Sequence, residues 1–571
     1  MEKIKKLKNL IIKHGLDGYI IPKNDEYFGE NVQIHKERLK SITGFSGSAG
    51  FSIVLRNKNY LFVDGRYTLQ ATEQCGKKFV IITLPSQKFK KLFIKNLKIG
   101  FDPKLYTNNT LQKIFKNLNC QLIPFKQNFV DLVIKKKYIL NIKKAWIIDG
   151  KNSGENYLSK IKKIKRNLSQ FKMDMVFVSS TECVNWALNI RGSDNQFSPV
   201  VNAQMIINNV GQSILFIDKR KISISFKRKL NKIKIIDMSF MENYLQELKG
   251  NKIFLDSLSC SIYYENLLRK KNIVRIEEDY IYLLKSKKNK IEIKNILKSH
   301  FFDGLALTKF LIWLKKNYKT KKITEIDAEK KLINFRRKNE NFLFSSFSTI
   351  SATASNGAII HYRANASSNR RLKTGSLYLI DSGGQYKFGT TDVTRTISLE
   401  NKINKIKDIF TLVLKGHIAV TNYKLSRNST GSLIDKVARK PLNEINLDYP
   451  HGTGHGVGYF LNVHEGPQAI SRNNNIKIKE GMIVSNEPGF YLKNKFGIRI
   501  ENLIYVKKIN GKLKFTNLTL APIDKSLINK KLLNKIEISW LNNYHNSIYK
   551  NFYKFMNNYE KNELKKACSK L

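Results

Sequence analysis

Apolar residues recur at mostly three- and four-residue spacing from Ile293 to Leu314, through Ile296, Leu297, Leu305, Leu307, Phe310 and Leu311. That period predicts an amphipathic helix. A second helix is predicted after Thr324, whose hydroxyl suits an N-cap, with Asp327 three residues on. The pattern then changes. Short apolar runs such as Leu377 to Ile380 alternate with glycine-rich turns up to about Val506. Helices beside short strands of this kind predict an α+β domain. The tail from Lys507 carries one ordered-looking stretch, Leu518 to Tyr549, followed by a lysine-rich end.

The first half repeats itself. Leu10-Ile11-Ile12 leads into Leu16-Asp17-Gly18-Tyr19-Ile20-Ile21, and Leu168 and Phe171 lead into Met173-Asp174-Met175-Val176-Phe177-Val178. Each is a helix-like stretch running through Asp into a strand. Downstream, Leu61-Phe62-Val63-Asp64-Gly65-Arg66 matches Leu215-Phe216-Ile217-Asp218-Lys219-Arg220, with Gly47-Ser48 and Gly192-Ser193 between the landmarks. Two copies are too few for a solenoid, so the repeat predicts two sibling α/β domains, residues 1–150 and 151–286. A charged junction, Leu283 to Lys290, precedes a mixed domain over 287–506, and 507–571 form a C-terminal extension. The start, Met1 to Leu7, reads as an amphipathic helix. The apolar stretch after it is too short for a signal-peptide core. No run of about 18 uncharged apolar residues predicts a membrane span.

Charge changes the picture less than its size suggests. With 102 Lys and Arg against 45 Asp and Glu, the 571-residue chain carries +57. Such an excess would suit a nucleic-acid or anionic-surface binder. However, lysine far outnumbers arginine, spreads along the whole length and accompanies an excess of Ile and Asn. AT-biased codons encode all three, and a dedicated nucleic-acid site would cluster arginine with aromatics. Composition drift is the preferred account, with no specific nucleic-acid partner. The five cysteines, Cys75, Cys120, Cys183, Cys260 and Cys568, are far apart and form no CxxC pair. They argue against a disulfide framework or a thiolate metal site and fit a reducing cytoplasm.

Chemistry concentrates in the mixed domain. His361, His451, His455 and His464 fall there, in a chain with only nine histidines. Carboxylates stand nearby at strand ends or turns: Asp381, Asp392, Glu487 and Glu501. Asp381 closes an apolar run, and Arg499 and Glu501 flank Ile500, so on a strand they share a face. Singly, an aspartate at a strand end is more often a turn former or a cap. A buried, unpaired carboxylate costs several kcal/mol, on the order of 3–5, or takes up a proton. Four converging ones demand strong positive charge, which two divalent cations would supply. Oxygen-rich ligation with one histidine favours Mn2+, with Co2+ or Zn2+ as alternatives. The segment His451-Gly452-Thr453-Gly454-His455-Gly456 spaces its histidines as helical zinc proteases do, but glycines disfavour a helix and HExxH is absent. A glycine-rich loop bringing a histidine close to a metal is the better reading.

This ordered set resembles the pita-bread metallopeptidases, and within them the X-prolyl aminopeptidase (aminopeptidase P) family in its three-domain form. The resemblance is carried by His451 to Gly458 followed by Leu461-Asn462-Val463-His464-Glu465-Gly466-Pro467. It continues in Gly44 to Gly50, Asp64-Gly65-Arg66-Tyr67, Asn189 to Asp194 and Leu518 to Asp524. It implies a mixed α+β fold with two creatinase-like N-terminal domains before a pita-bread catalytic domain. It implies the metal ligands Asp381, Asp392, His455, Glu487 and Glu501, all five present. Metal-free relatives of the fold lack such a full set.

The resemblance further implies Glu487 as proton shuttle, and His361 and His464 as donors to charge developing on the scissile carbonyl. His451 would line the proline pocket, Arg499 would brace Glu501 or the peptide, and Arg66 would reach substrate from the first domain. A structural pair of Arg66 with Asp64 is the competing reading, and Asp218 with Arg220 repeats it. The implied activity is removal of an N-terminal residue from peptides with proline second, by a homodimer. The alternatives are a prolidase, confined to Xaa-Pro dipeptides, and a basic nucleic-acid-binding protein with a vestigial peptidase fold. The loop Arg363 to Ser368 departs from the family pattern.

Overall fold

The computed structural model describes residues 2–86, 96–134, 142–400 and 403–571. The chain divides into two compact units, Met1–Tyr282 and Leu283–Leu571.

The first unit holds two six-stranded sheets. Strands β1 (Gly18–Pro22), β2 (Phe51–Leu55), β3 (Asn59–Asp64), β4 (Val80–Leu84), β5 (Leu97–Phe101) and β6 (Cys120–Pro124) lie in the order β4-β3-β2-β1-β5-β6. Strands β7 (Met175–Val178), β8 (Ala203–Asn208), β9 (Ile214–Ile217), β10 (Lys234–Asp237), β11 (Lys252–Asp256) and β12 (Ile273–Glu277) lie in the order β10-β9-β8-β7-β11-β12. Both sheets carry an antiparallel three-strand meander flanked by parallel pairs at the same places. The repeat legible in sequence is therefore a repeat of topology. At the start, Glu2–Lys13 form a helix whose Leu7 and Ile11 are buried. Arg66 forks onto Asp64, its Nη2 at 2.8 Å, and Arg220 does the same with Asp218 in the sibling domain.

The second unit opens with helix α1 (Lys290–Asn317). Asn289 and Glu292 close a capping box on its first turn. Helix α2 (Glu325–Arg337) starts on the box formed by Thr324 and Asp327. Strands β13 (Ile350–Thr353), β14 (Leu377–Ser382) and β15 (Val393–Ser398) form an antiparallel sheet with β14 central. The two-residue period of β14 sends Tyr378 and Ile380 into one core with Leu307, Phe310 and Leu314 of α1 and Leu332 of α2. Asp381 faces the other way. Each such apolar side chain contributes about 1.5–3 kcal/mol on burial, which fixes the face to which Asp381 is presented. Arg336 of α2 locks the helices together through Asp303, at 2.8 Å, and reaches Ser382 Oγ at 3.0 Å, next to Asp381.

After helices α3 (Asn404–Thr421) and α4 (Gly431–Asn443) come β16 (Gly454–Gly456), β17 (Glu465–Ile470) and β18 (Ile483–Asn486). A hairpin, β19 (Gly489–Leu492) and β20 (Phe496–Arg499), and then β21 (Asn502–Ile509) and β22 (Lys512–Asn517) complete the sheets. The second sheet runs β17-β16-β18-β21-β22.

Two lysine-rich segments are more ordered than their composition shows. The charged junction is not solvated, because the side chains of Lys285 and Lys288 are fully buried against the equally buried Glu465. The lysine-rich end is also ordered. Beyond α5 (Lys535–Phe552), Asn557 and Glu560 cap a further helix, α6 (Asn558–Cys568). Its Leu564 and Cys568 join the core of Leu541, Ile548 and Phe552, while its lysines keep to the other side. Among the described residues, no helix is long and apolar enough to cross a membrane.

Candidate active site

Four carboxylates and a histidine meet where the strands of the second unit present their ends. Asp381 comes from β14, and Asp392 from the turn entering β15. His455 is central in β16, Glu487 follows β18, and Glu501 sits in the break between β20 and β21. Close backbone approach at β16 needs its glycines. A Cβ on Gly454 would lie 1.9 Å from Ser485 O, and one on Gly456 would lie 2.3 Å from Glu465 O. The glycine-rich stretch around His455 is thus a short strand pressed between neighbours rather than a loop.

His455 Nε2 lies 3.4 Å from Asp392 Oδ2 and 3.6 Å from Glu487 Oε1. Its Nδ1 donates to the Gly456 carbonyl at 2.9 Å. In the neutral imidazole that bond fixes the tautomer and leaves the Nε2 lone pair pointing at two carboxylates. Asp392, His455 and Glu501 each offer a ligand atom, all within 4.8 Å of one another. The Oδ1 atom of Asp381 is buried and has no hydrogen-bond partner. Lone pairs converging in this way, with one guanidinium against four carboxylates, fit divalent cations.

Without such cations, protons must take their place. Burial pushes the Asp381 carboxyl up to about 6, against the pull of Arg499, with Asp392 and Glu487 adding to the rise. Burial likewise raises Glu487, and it raises Glu501 well above the carboxylate range, with Asp392, Glu487 and Asp381 adding to the latter. Burial opposes charge on His455, but Asp392 and Glu487 outweigh it and hold the imidazole up at about 9.

Arg499 organises the edge of the cluster. Its Nη2 donates to Asp381 Oδ2 and its Nη1 to Tyr491 Oη, both at 2.6 Å, and its Nε donates to Thr394 Oγ1 at 3.1 Å. Thr394 Oγ1 in turn donates to Glu501 Oε2 at 2.7 Å. Arg499 therefore braces Asp381 directly, and Glu501 only through Thr394, which corrects the expectation of a direct brace. The reason is that Ile500 and Glu501 lie between two strands rather than on one, so the expected strand alternation does not carry through them.

His451 Nε2 meets Tyr491 Oη at 2.9 Å, and the backbone carbonyl of His451 accepts from Arg439 at 2.5 Å. The exposed His464 packs its ring 4.2 Å from that of His455. His361 is half-buried beside Tyr362, whose hydroxyl donates to the buried Glu325 at 2.8 Å. Arg66 belongs to the first unit and is engaged with Asp64. Sequence reasoning missed Thr394, Tyr491 and Ser485, whose hydroxyl donates to Glu487 at 3.0 Å. All three lie on ordinary strands, and only the pairing of distant segments reveals them.

Comparison with known proteins agrees with this geometry. Residues 294–508 match the model of metallopeptidase family M24, and 511–571 match the C-terminal region of peptidase M24. Residues 3–132 and 139–292 each match a creatinase/prolidase N-terminal domain. A protein of Laccaria bicolor named probable Xaa-Pro aminopeptidase P is 35% identical over 95% of this chain and 89% of its own length. Xaa-Pro aminopeptidase 1 of Dictyostelium discoideum is 34% identical over 96% of this chain and 92% of its own. The crystal structure of the X-prolyl aminopeptidase of Caenorhabditis elegans, described as a cytosolic enzyme with a di-nuclear active site, superposes with a TM-score of 0.94. It is 30% identical and covers 100% of this chain and 99% of its own. The two sibling N-terminal domains, the carboxylate-rich centre and full-length likeness together mean that this chain belongs to metallopeptidase family M24, among the Xaa-Pro aminopeptidases.

Proposed function

We propose that this chain is a dinuclear-metal aminopeptidase that hydrolyses the first peptide bond of substrates with proline in second position. Asp381, Asp392, His455, Glu487 and Glu501 would hold the two ions. The single observation that carries this reading is the lone pair of His455 Nε2 aimed at two carboxylates inside a cluster of four, three of them buried and Glu487 half-buried. Such an arrangement must be neutralised, and four carboxylates with one imidazole form a donor set that suits divalent cations. Two divalent ions, when bound, supply Lewis acidity and lower the pKa of water at the centre.

The chain's own residues do the rest. Glu487, steadied by Ser485 and by the hydrogen bond its backbone N–H donates to the Thr453 carbonyl, takes the proton of the attacking water and delivers it to the leaving nitrogen. That nitrogen must gain a proton to leave as an amine, and in a proline amide the delivered proton becomes its only N–H. His464 and His361 donate to the carbonyl oxygen as charge builds there. Arg499 fixes Asp381, and the Tyr491 hydroxyl ties it to His451 at the proline pocket. Mn2+ suits the oxygen-rich donor set best, with Co2+ or Zn2+ as alternatives.

The same proposal includes a cytoplasmic homodimer that selects no nucleic acid. Five free cysteines support the reducing compartment, and the even spread of lysines supports the last point. Light scattering would measure the dimer. Any duplex-DNA binding should vanish at moderate salt.

The deciding experiment has two parts. Metal analysis of protein purified without chelator should approach two ions per chain, and release of the first residue from an Arg-Pro-Pro-type peptide should stop on chelation and return with Mn2+. Asp392→Asn should fold normally yet lose at least about 10²-fold in kcat, since one ligand is replaced by a neutral amide. A metal-free preparation with full activity would overturn the reading.

A further inference from the structure

The C-terminal extension reaches the back of the metal centre. The guanidinium of Arg395, on β15, is fully buried and has no carboxylate partner among the described residues. Its Nη1 donates to the backbone carbonyls of Glu501, at 2.6 Å, and Thr394, at 2.8 Å. The Thr394 carbonyl also receives the Glu501 amide at 3.2 Å. Arg395 therefore clamps the peptide that carries one candidate ligand. Asn502 Oδ1, on β21, accepts from Nη2 at 2.8 Å, and the extension supplies the remaining acceptors. Nη2 donates to Ala521 O at 2.7 Å and to Tyr544 Oη at 2.8 Å, and Nε donates to Pro522 O at 3.1 Å.

One turn earlier on α5, Trp540 stacks on Tyr544, with ring centroids 5.3 Å apart and planes 8° from parallel. Trp540 also sets an edge-to-face contact on His417, at 5.8 Å. His417 Nδ1 donates to the carbonyl of Asn486 at 3.0 Å, and Asn486 Nδ2 returns a bond to His417 O at 2.8 Å. The residue after Asn486 is Glu487. One face of one helix thus backs the two chain segments that deliver Glu487 and Glu501.

We infer that the C-terminal extension is a positioning element of the metal centre, with Tyr544 holding the Glu501 segment through Arg395 and Trp540 holding the Glu487 segment through His417. This rests on the two-ion reading above. A buried guanidinium aims its hydrogen bonds well only if every acceptor is present, so loss of one acceptor should be felt by the others. No side chain of the extension need touch an ion.

The test is calorimetric titration of the apoprotein with Mn2+ alone, beside thermal melts of the same samples. Tyr544→Phe keeps the stack on Trp540 and removes only the hydroxyl. It should weaken at least one Mn2+ site by roughly tenfold, as loss of an outer support does in metal sites. Glu537→Ala serves as the control. It removes the capping partner of Asn534 and the ion pair to Lys415 of α3, and leaves the hydrogen bonds of Arg395, Tyr544 and His417 in place. It should lower the melting temperature and leave both Mn2+ affinities unchanged. Wild-type affinity in Tyr544→Phe, or an equal loss in Glu537→Ala, would overturn the inference. Should Tyr544→Phe not fold, Trp540→Phe is titrated in its place against the same two criteria. Wild-type protein that takes up no Mn2+ would instead remove the two-ion reading itself.

Discussion

At the scale of single residues, the centre is a problem of charge that protons and metal ions solve differently. In the metal-free protein the folded-state pKa of Asp381 stands at about 6, above its ordinary value of 3.8, and that of Glu501 is raised further. A carboxyl raised on folding lends its stability fully below the unfolded pKa and loses it as pH climbs through the folded one. His455, raised to about 9, likewise lends stability that is present below 6.5 and lost as pH approaches 9. All these shifts have the same sign, so the apoprotein should weaken steadily from about pH 4 to pH 9. Bound cations replace the protons and reverse the trend. Thermal melts should show the apoprotein losing at least roughly 5 °C between pH 5 and pH 8, and the Mn2+-loaded protein losing none over that span. Parallel curves for the two forms would mean that these carboxylates do not hold the ions.

At the scale of elements, the helices were readable because their signals are local. The Thr324 cap with Asp327, and the apolar stripe through Phe310 and Leu314, act within one or two turns. Asp381, Asp392, His455, Glu487 and Glu501 could be singled out because each sits at a strand end or among glycines. The supports of those residues were not readable. Thr394, Tyr491 and Tyr544 act on partners 107 or 149 residues away or across a hairpin, and nothing in their neighbourhoods marks them. The burial of Lys285 and Lys288 was unreadable for a related reason, because a charged run does not reveal the buried Glu465 opposite it. Glu465 lies opposite Gly456 in the pairing of β16 with β17, and His464 precedes it. Its two lysines therefore steady the strand bearing His455 and the residue carrying the second ring. Glu465→Gln should lower stability by about 3–5 kcal/mol, since two buried ammonium groups lose their shared counter-charge. Removing both lysines with it, as Lys285→Met and Lys288→Met, should recover much of that loss. Urea unfolding of the single and triple variants measures this, and a single variant as stable as wild type would show the triad to be dispensable.

At the scale of the whole molecule, the question is why an M24 catalytic domain carries two sibling N-terminal domains and an extension. The full-length likeness to Xaa-Pro aminopeptidases, rather than to a catalytic domain alone, favours a protein that trims peptides one residue at a time. A strict dipeptidase must instead meet the carboxylate of its proline with a cation. The loop after His361 is where such a group would stand, and it is the segment that departs most from the family pattern. Its arginines are differently occupied. Arg370 donates to Ser355 Oγ and caps Glu325 through its amide, and Arg371 bridges to Thr324 through the backbone. Arg363 is exposed and lies near enough to Glu329 for the two charges to interact. A guanidinium already countered by a glutamate is a weak anchor for a free carboxylate. The expectation is therefore that kcat/KM for Xaa-Pro-Yaa-Zaa exceeds that for the matching Xaa-Pro dipeptide by about tenfold or more, a ratio that reports transition-state binding directly. Assays belong at about 0.15 M salt or above, because a surface charge of +57 attracts any anionic peptide at low ionic strength. Arg363→Ala should leave tetrapeptide kinetics within about twofold of wild type, since the chain continues past the proline and offers no carboxylate there. A dipeptide preference that collapses in Arg363→Ala would place the enzyme with the prolidases and identify Arg363 as the group that makes it one.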